Sequence, residues 1–263
     1  MKKDTTERKI LFWVIVFLFV FTLLPIVAPI AARLGLNFIS DPIYWLYQWF
    51  CHQRPWRSYH LFDYQLAMDA RMMLMFGSMA VGGLIIYIKK LKPLKPLHAI
   101  IFAIIFIIPL GLDGTIQAFA ELTSSVSKLP FYESTNFTRS LTGSLFGIGI
   151  AFGLFPFLNG QVGKADLKSY FKPILVTLIA SLFFIFLIVT GWSLTSSKYK
   201  PSHFFIDITQ RFPGYNYEIT TSGGHATGSR VLNLNDEQLY LDRARAFGKD
   251  GYVESYLLEK QND

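Results

Sequence analysis

The chain has 263 residues, a formal net charge of +7, 52% hydrophobic residues and only 16% charged residues, and it contains 25 phenylalanines. This depletion of charge beside so many apolar and aromatic side chains excludes an ordinary soluble enzyme and is typical of a membrane protein. Cys51 is the single cysteine, so an intrachain disulfide is excluded as well.

Five apolar stretches predict transmembrane helices, because each is close to the roughly 20 residues that a helix needs to cross a bilayer. They cover residues 10–32, 72–88, 97–120, 140–163 and 173–197. The second is the shortest, and we expect its helix to recruit residues before Met72. The first follows basic residues and ends in small ones, as a cleaved signal peptide does. Its apolar run exceeds the roughly 7–15 residues of a signal h-region, so we expect a retained helix, with a cleaved signal as the alternative.

The positive charge lies at the flanks of these stretches, which does not favour a nucleic acid partner. With five spans, three basic groups fall on one side of the membrane, and the positive-inside rule makes that side cytoplasmic. We therefore expect a plasma membrane protein with a cytoplasmic N-terminus and an external C-terminus. The three groups are Lys2, Lys3, Arg8 and Lys9, then Lys89, Lys90, Lys92 and Lys95, then Lys164, Lys168 and Lys172.

An aromatic segment follows the first span. Ser40-Asp41-Pro42 predicts a helix start, with a capping side chain and then proline in the first turn. Residues 43–50 are rich in Trp and Tyr, which favour the membrane–water interface. We expect a short interfacial helix that delivers residues 51–54 to the outer membrane surface.

Small residues recur four apart in the fourth span, at Gly143, Gly147 and Ala151 and again at Gly149 and Gly153. This spacing favours close helix packing rather than chemistry.

The composition becomes polar after residue 197. We predict strands at 204–208 and 215–220, a glycine-rich hairpin turn at 221–228, and a helix over 236–247 that Asn235 caps. The predicted fold is an all-α integral membrane protein with about five transmembrane helices, a short interfacial helix and a small C-terminal α+β extramembrane appendage. The predicted divisions are an N-terminal helix at 1–39, an interfacial helix and three-span core at 40–163, a fifth helix at 164–197 and a polar appendage at 198–263.

Charged and polar residues within or beside the spans are the best functional candidates, since a charge inside a bilayer is costly. Asp113, Gln117 and Glu121 share one face of the third predicted span. The predicted topology brings polar groups from four segments to the outer side of the membrane. The candidate ligand-binding residues are His52, Gln53, Arg57, Asp69, Arg71, Asp113, Gln117 and Arg139.

Five short motifs in this region carry a family resemblance. In this order they resemble the bacterial and archaeal predicted membrane proteins filed as domain of unknown function 2085, over roughly residues 45–155. The resemblance implies a membrane protein and brings no established activity. The motifs are Cys51-His52-Gln53, Arg57-Ser58, Asp69-Ala70-Arg71, Asp113-Gly114-Thr115-Ile116-Gln117 and Asn136-x-x-Arg139-x-x-Thr142-Gly143.

The chain departs from that family at the opening of the second span. Family members typically read Cys-Ala-Arg-Cys there, whereas this chain reads Asp69-Ala70-Arg71-Met72. The cysteines and histidine of the family resemble a metal or redox site, because Cys and His are common ligands of zinc and copper. With two cysteines absent we expect no thiolate zinc site. A metal ion on Cys51, His52 and Asp69 remains the alternative, and no cofactor is otherwise expected.

Three functional hypotheses are favoured at this point, because five spans without an inverted repeat argue against a fourth, a transporter or channel. The one we favour is a binding or accessory protein whose outer polar pocket holds a lipid headgroup, an anion or a small solute. The second is a membrane enzyme that acts on a lipid-linked or small substrate, with His52 and Asp69 or Asp113 as acid–base groups. The third is an accessory subunit of a membrane complex. Membrane lipid is the expected partner in each, with other membrane subunits in the third.

Overall fold

The computed structural model describes residues 6–51, 57–123, 132, 134–196, 217–222 and 225–231. In these ranges six α-helices and two antiparallel hairpins follow one another along the chain. The helices are α1 (Thr6–Arg33), α2 (Asn37–Gln48), α3 (Ala70–Lys89), α4 (Pro96–Thr123), α5 (Asn136–Leu154) and α6 (Lys168–Thr195). The strands are β1 (Ser58–Leu61), β2 (Tyr64–Asp69), β3 (Tyr217–Ser222) and β4 (His225–Val231).

Within the described residues, five helices are long and apolar enough to cross a membrane: α1, α3, α4, α5 and α6. They confirm the five predicted spans and the all-α membrane fold. α3 begins at Ala70 and so recruits residues before Met72, as expected. The fourth span begins and ends earlier than predicted: α5 runs from Asn136 to Leu154, and Phe155–Leu158 continues it as a 3-10 turn. Pro156 explains this end, because proline has no backbone N–H to continue the helix.

The chain divides into two compact units. The first contains residues 1–26, 70–112 and 136–191, and the second contains residues 27–69, 113–135 and 192–263. The first unit is a helical bundle whose buried core includes Leu11, Ile15, Ala80, Ile148 and Phe152.

Glycines of α5 let two neighbouring helices approach it closely. A Cβ added at Gly147 would collide with Ser78 Oγ and the carbonyl oxygen of Met75, both on α3. On another side, a Cβ at Gly149 would lie 2.7 Å from Cβ of Phe106 on α4. The packing interpretation of these small residues is therefore confirmed: each glycine removes the side chain that would separate the helices.

Contacts within the first unit bring together the described parts of the three predicted basic groups at one end of the bundle. Arg8 donates a hydrogen bond to the carbonyl of Tyr87 at 3.3 Å, and its guanidinium lies 4.2 Å from the centre of the Tyr87 ring. The Tyr170 hydroxyl donates to the carbonyl of Lys92 at 2.7 Å, and the Ala165 N–H donates to that of Pro93 at 2.8 Å. The start of α1, the α3–α4 connection and the start of α6 therefore lie together. Which side of the membrane this end faces stays a prediction.

The second unit contains α2 and both hairpins. The predicted start of α2 at Ser40-Asp41-Pro42 is wrong: the helix begins at Asn37 and contains Pro42. The reason is an earlier first turn, in which the N–H groups of Ile39 and Ser40 both donate to the carbonyl of Leu36. Trp45 is exposed on α2 and Trp49 is exposed directly after its end, and their rings pack edge to face at 6.1 Å. Such a surface is typical of the membrane interface.

The two hairpins differ in how far the sequence predicted them. β1 and β2 form one that was not predicted. β3 and β4 form the other, with Ser222 opposite His225, so the predicted strand at 215–220 and the hairpin turn are confirmed in kind. The turn is tighter than residues 221–228, since His225–Val231 is strand. The predicted strand at 204–208 and the predicted helix at 236–247 lie outside the described residues.

Candidate functional site

Asp113 and Gln117 are buried on one face of α4 within the second unit, with 5% and 4% of their surfaces exposed. The carboxylate of Asp113 accepts two hydrogen bonds from residues beyond the end of the helix. Tyr132 donates its hydroxyl to Oδ1 at 2.6 Å, and Ser134 donates to Oδ2 at 2.9 Å. Both carboxylate oxygens of Asp113 thus bind the segment that contains Tyr132 and Ser134. Glu121 belongs to α4, but its side chain lies outside the described part.

Arg71 and Arg139 belong to the first unit, at the beginnings of α3 and α5. Arg139 is 2% exposed and Arg71 is half-buried. A Cβ at Gly143 would collide with the carbonyl oxygen of Arg71, so the backbones of the two helices touch there. Arg139 lies one turn before Gly143, so along the α5 axis it is offset by about 6 Å from the level of the Arg71 backbone. A guanidinium buried in such a place requires anionic or polar partners, since an uncompensated charge there is very costly.

Arg57 and Asp69 lie at the open end of the β1–β2 hairpin. Asp69 is the register partner of Ser58, and Arg57 directly precedes Ser58. Both side chains are half-buried. α2 supports the hairpin, since the Tyr44 hydroxyl donates to the carbonyl of Gln65 at 2.5 Å. The hairpin therefore holds two of the predicted site residues at one edge of the second unit.

The other end of this hairpin is joined to the C-terminal end of α6. Phe62 and Asp63 both have positive φ, 55° and 65°, in a tight two-residue turn. Their backbone N–H groups donate to the hydroxyls of Thr195 and Ser196, each at 3.1 Å. Two hydroxyls at the helix end thus fix the tip of the hairpin.

His60 is a buried polar residue that sequence reasoning missed. Its ring is fully buried and stacks on Trp192, with centroids 5.1 Å apart and an angle of 30° between the planes. Burial lowers the pKa of His60 to about 3, against the opposing influence of the Asp63 charge and of a hydrogen bond to the Ser58 backbone. The imidazole is therefore neutral at physiological pH. The alternation of apolar and polar residues across 58–68 is the signal that indicates a strand pair here.

The predicted metal site is only partly within the described chain. Cys51 is buried, whereas His52 and Gln53 lie outside the described residues. Among the residues that the structure describes, no group of three or more His, Cys, Asp and Glu side chains is placed to hold a metal ion. Metal binding by Cys51, His52 and Asp69 together stays a prediction.

The structure assigns the predicted site residues to separate places. Arg57, Asp69, Asp113 and Gln117 belong to the second unit, and Arg71 and Arg139 belong to the first. Their grouping into one pocket stays a prediction. Tyr132 and Ser134 are the partners of Asp113 that the sequence did not indicate, since neither has a helical spacing to it.

Five long apolar helices and the small strand-containing part define a polytopic integral membrane protein. The family model described as predicted membrane protein, DUF2085, matches residues 51–153, which run from Cys51 through β1, β2, α3 and α4 into α5. The chain is also 32% identical over 157 residues to an uncharacterized protein of Methanocaldococcus jannaschii, MJ1492. That match covers 57% of this chain and 94% of the relative. The chain belongs to the DUF2085 family of predicted membrane proteins. No solved structure matches it.

Proposed function

We propose that this protein is a membrane-embedded binding protein that holds the anionic headgroup of a phospholipid, with Arg71 and Arg139 as its principal cationic contacts. The observation that carries this proposal is the burial of Arg139, 2% exposed in the first turn of a helix long enough to span the membrane. Arg71 adds a second guanidinium at the adjoining helix start. Both residues lie within the part of the chain that the family model matches.

The chemistry of guanidinium supports an anionic oxygen ligand. Each guanidinium has five N–H donors, so a phosphate can share these two arginines with their protein partners. Their planar, forked geometry matches phosphate oxygens in pairs. At the start of a membrane helix, a lipid phosphate is the anion present at the highest local concentration. Binding of this kind requires no nucleophile and no general base.

Asp113 supports binding rather than catalysis. Its two carboxylate oxygens accept hydrogen bonds from Tyr132 and Ser134, which is what a structural anchor requires. The enzyme hypothesis needs such a carboxylate to orient or exchange a proton, with His52 as its partner. We therefore assign Asp113 to the support of the segment that contains Tyr132 and Ser134.

We also propose that α3 and α5 begin at the outer face of the membrane and that the N-terminus is cytoplasmic. The support is the common end of the three basic groups, because the positive-inside rule places such a cluster in the cytoplasm. The headgroup site then faces the outer leaflet.

Native mass spectrometry of protein exchanged into detergent with added phosphatidylglycerol tests the headgroup proposal. We expect Arg71→Ala and Arg139→Ala each to weaken binding by roughly tenfold, about 1.4 kcal/mol. Arg139→Lys should fall between, because it keeps the charge and loses the fork. Arg33→Ala, at an exposed arginine of α1, is the matched control. The proposal would be refuted if Arg71→Ala and Arg139→Lys bind phosphatidylglycerol as the wild type does. Thermal unfolding measurements must first show that both variants are folded.

A further inference from the structure

A lateral cavity of about 220 Å³ lies within the first unit between α1, α3 and α6. Thr22 and Leu23 contribute from α1, Leu74 and Gly77 from α3, and Ala180 with its neighbours from α6. All three helices are candidate membrane spans. The lining residues of α1 and α6 lie in their central turns, and those of α3 begin at Leu74 in its second turn. The cavity therefore opens at a depth where bilayer hydrocarbon surrounds the protein.

We propose that this cavity is a binding site for a single acyl chain of a membrane phospholipid. Its wall is almost entirely apolar, and its three hydroxyl groups are directed to their own helices. Thr22 donates to the carbonyl of Leu18 at 2.7 Å, Ser78 to that of Met75 at 3.2 Å, and Ser181 to that of Thr177 at 3.0 Å. An occupant with polar groups would find those donors engaged, whereas hydrocarbon requires none.

The size of the cavity also fits one chain rather than a whole small molecule. An apolar cavity of about 150 Å³ accommodates benzene, and small-molecule sites usually span about 300–1,000 Å³. At about 220 Å³ this cavity lies between the two, and its open side allows a chain to extend beyond it. Gly77 contributes to the space, because a Cβ there would lie 3.2 Å from Cγ2 of Thr22. Each methylene that enters contributes contact with the walls rather than with mobile lipid.

The proposed chain site and the proposed headgroup site share helix α3, and a link between them rests on the proposed function. Arg71 lies one turn before Leu74 on α3, a rise of about 4.5 Å along the helix axis. An acyl chain between α1, α3 and α6 would thus leave its phosphate near the helix end where Arg71 and Arg139 lie. The chain site itself does not depend on this link, since neutral phospholipids have the same acyl chains.

Photolabelling tests the chain site separately from the headgroup site. The purified full-length protein would be incubated in mixed micelles with phosphatidylcholine or phosphatidylglycerol that carries a diazirine on one acyl chain. Peptide mapping would then locate the adducts. We expect adducts with both lipids on cavity-lining peptides of α3 and α6. Ala180→Phe places a phenyl group in the cavity and should reduce those adducts at least fivefold. Ala118→Phe, the same change at an exposed position of α4, should leave them unchanged.

The outcomes separate the two proposals. Loss of labelling by both lipids in Ala180→Phe, with no effect of Arg71→Ala on phosphatidylglycerol, supports the chain site and refutes the headgroup site. Equal labelling of wild type and Ala180→Phe overturns the chain site, whatever Arg71→Ala does. If native mass spectrometry shows a dimer that Ala180→Phe dissociates, a second copy occupies the cavity and the acyl-chain proposal is wrong. If Ala180→Phe fails to fold, Gly77→Ala provides a smaller change in the same cavity. It should reduce labelling, but by less than the fivefold expected for Ala180→Phe.

Discussion

The hydroxyl of Tyr132 donates a 2.6 Å hydrogen bond to Oδ1 of Asp113, a carboxylate that is 5% exposed in a helix long enough to span the membrane. Ser134 occupies the other oxygen at 2.9 Å. A membrane helix tolerates a carboxylate when its oxygens are satisfied inside the protein. Asp113 thereby ties the segment that leads into α5 back to α4.

We expect Tyr132→Phe to destabilise the protein by about 1.5–3 kcal/mol, because hydrogen bonds to a charged group are worth about that much. Ser134→Ala should have a similar effect. Thermal or denaturant unfolding in detergent measures both. Tyr87→Phe is the control: it removes a hydroxyl but keeps the ring beneath Arg8, so its effect should stay within about 0.5 kcal/mol. If Tyr132→Phe is as stable as Tyr87→Phe, the bond to Asp113 does not support the fold.

Hydropathy and small-residue spacing were enough to predict the five spans and the packing of α5, because both depend on local composition. The anchoring of Asp113 was not predictable in this way. Its partners lie at positions 132 and 134, beyond the helix, and no periodicity relates them to it. The hairpin over residues 58–69 was missed for another reason. It directly precedes an apolar helix, and its last residues were interpreted as the start of that membrane span.

His60 makes the stability of the protein depend on pH. Its pKa is about 3 in the folded protein and 6.5 in the unfolded chain, so the unfolded chain binds more protons between these values. The stabilisation is fully present above pH 6.5 and is lost as the pH falls towards 3. We expect the free energy of unfolding to decrease by up to about 1.4 kcal/mol per pH unit within this window.

His60→Phe should remove this contribution while keeping an aromatic ring against Trp192. Denaturant unfolding at pH 7, 6 and 5 measures the slope, and the variant should show a smaller one. His98→Phe, at an exposed histidine near the start of α4, provides the matched comparison. A slope that is identical in the wild type and His60→Phe would contradict a neutral, buried His60.

Gly147 should tolerate no side chain. In Gly147→Ala the new methyl would meet Ser78 Oγ and the Met75 carbonyl, so α3 and α5 must separate. Overpacking of this kind costs about 1–3 kcal/mol, which thermal unfolding in detergent would detect. Gly111→Ala is the matched control, since a Cβ at Gly111 meets nothing within 4 Å and alanine favours the helix. Equal stability of the two variants would show that α5 does not need glycine for its contact with α3.

The proposed orientation predicts which connecting segments a membrane-impermeant maleimide reaches. Cys51 is buried and is the single cysteine, so Cys51→Ser provides a background without thiols. Leu34, 67% exposed after α1, and Val162, 90% exposed between α5 and α6, are suitable positions for new cysteines. In intact cells Leu34→Cys should react, whereas Val162→Cys should react only after permeabilisation, because the proposed orientation places the basic end of the bundle in the cytoplasm. The reverse pattern would place the basic groups outside and would move the proposed headgroup site to the inner leaflet.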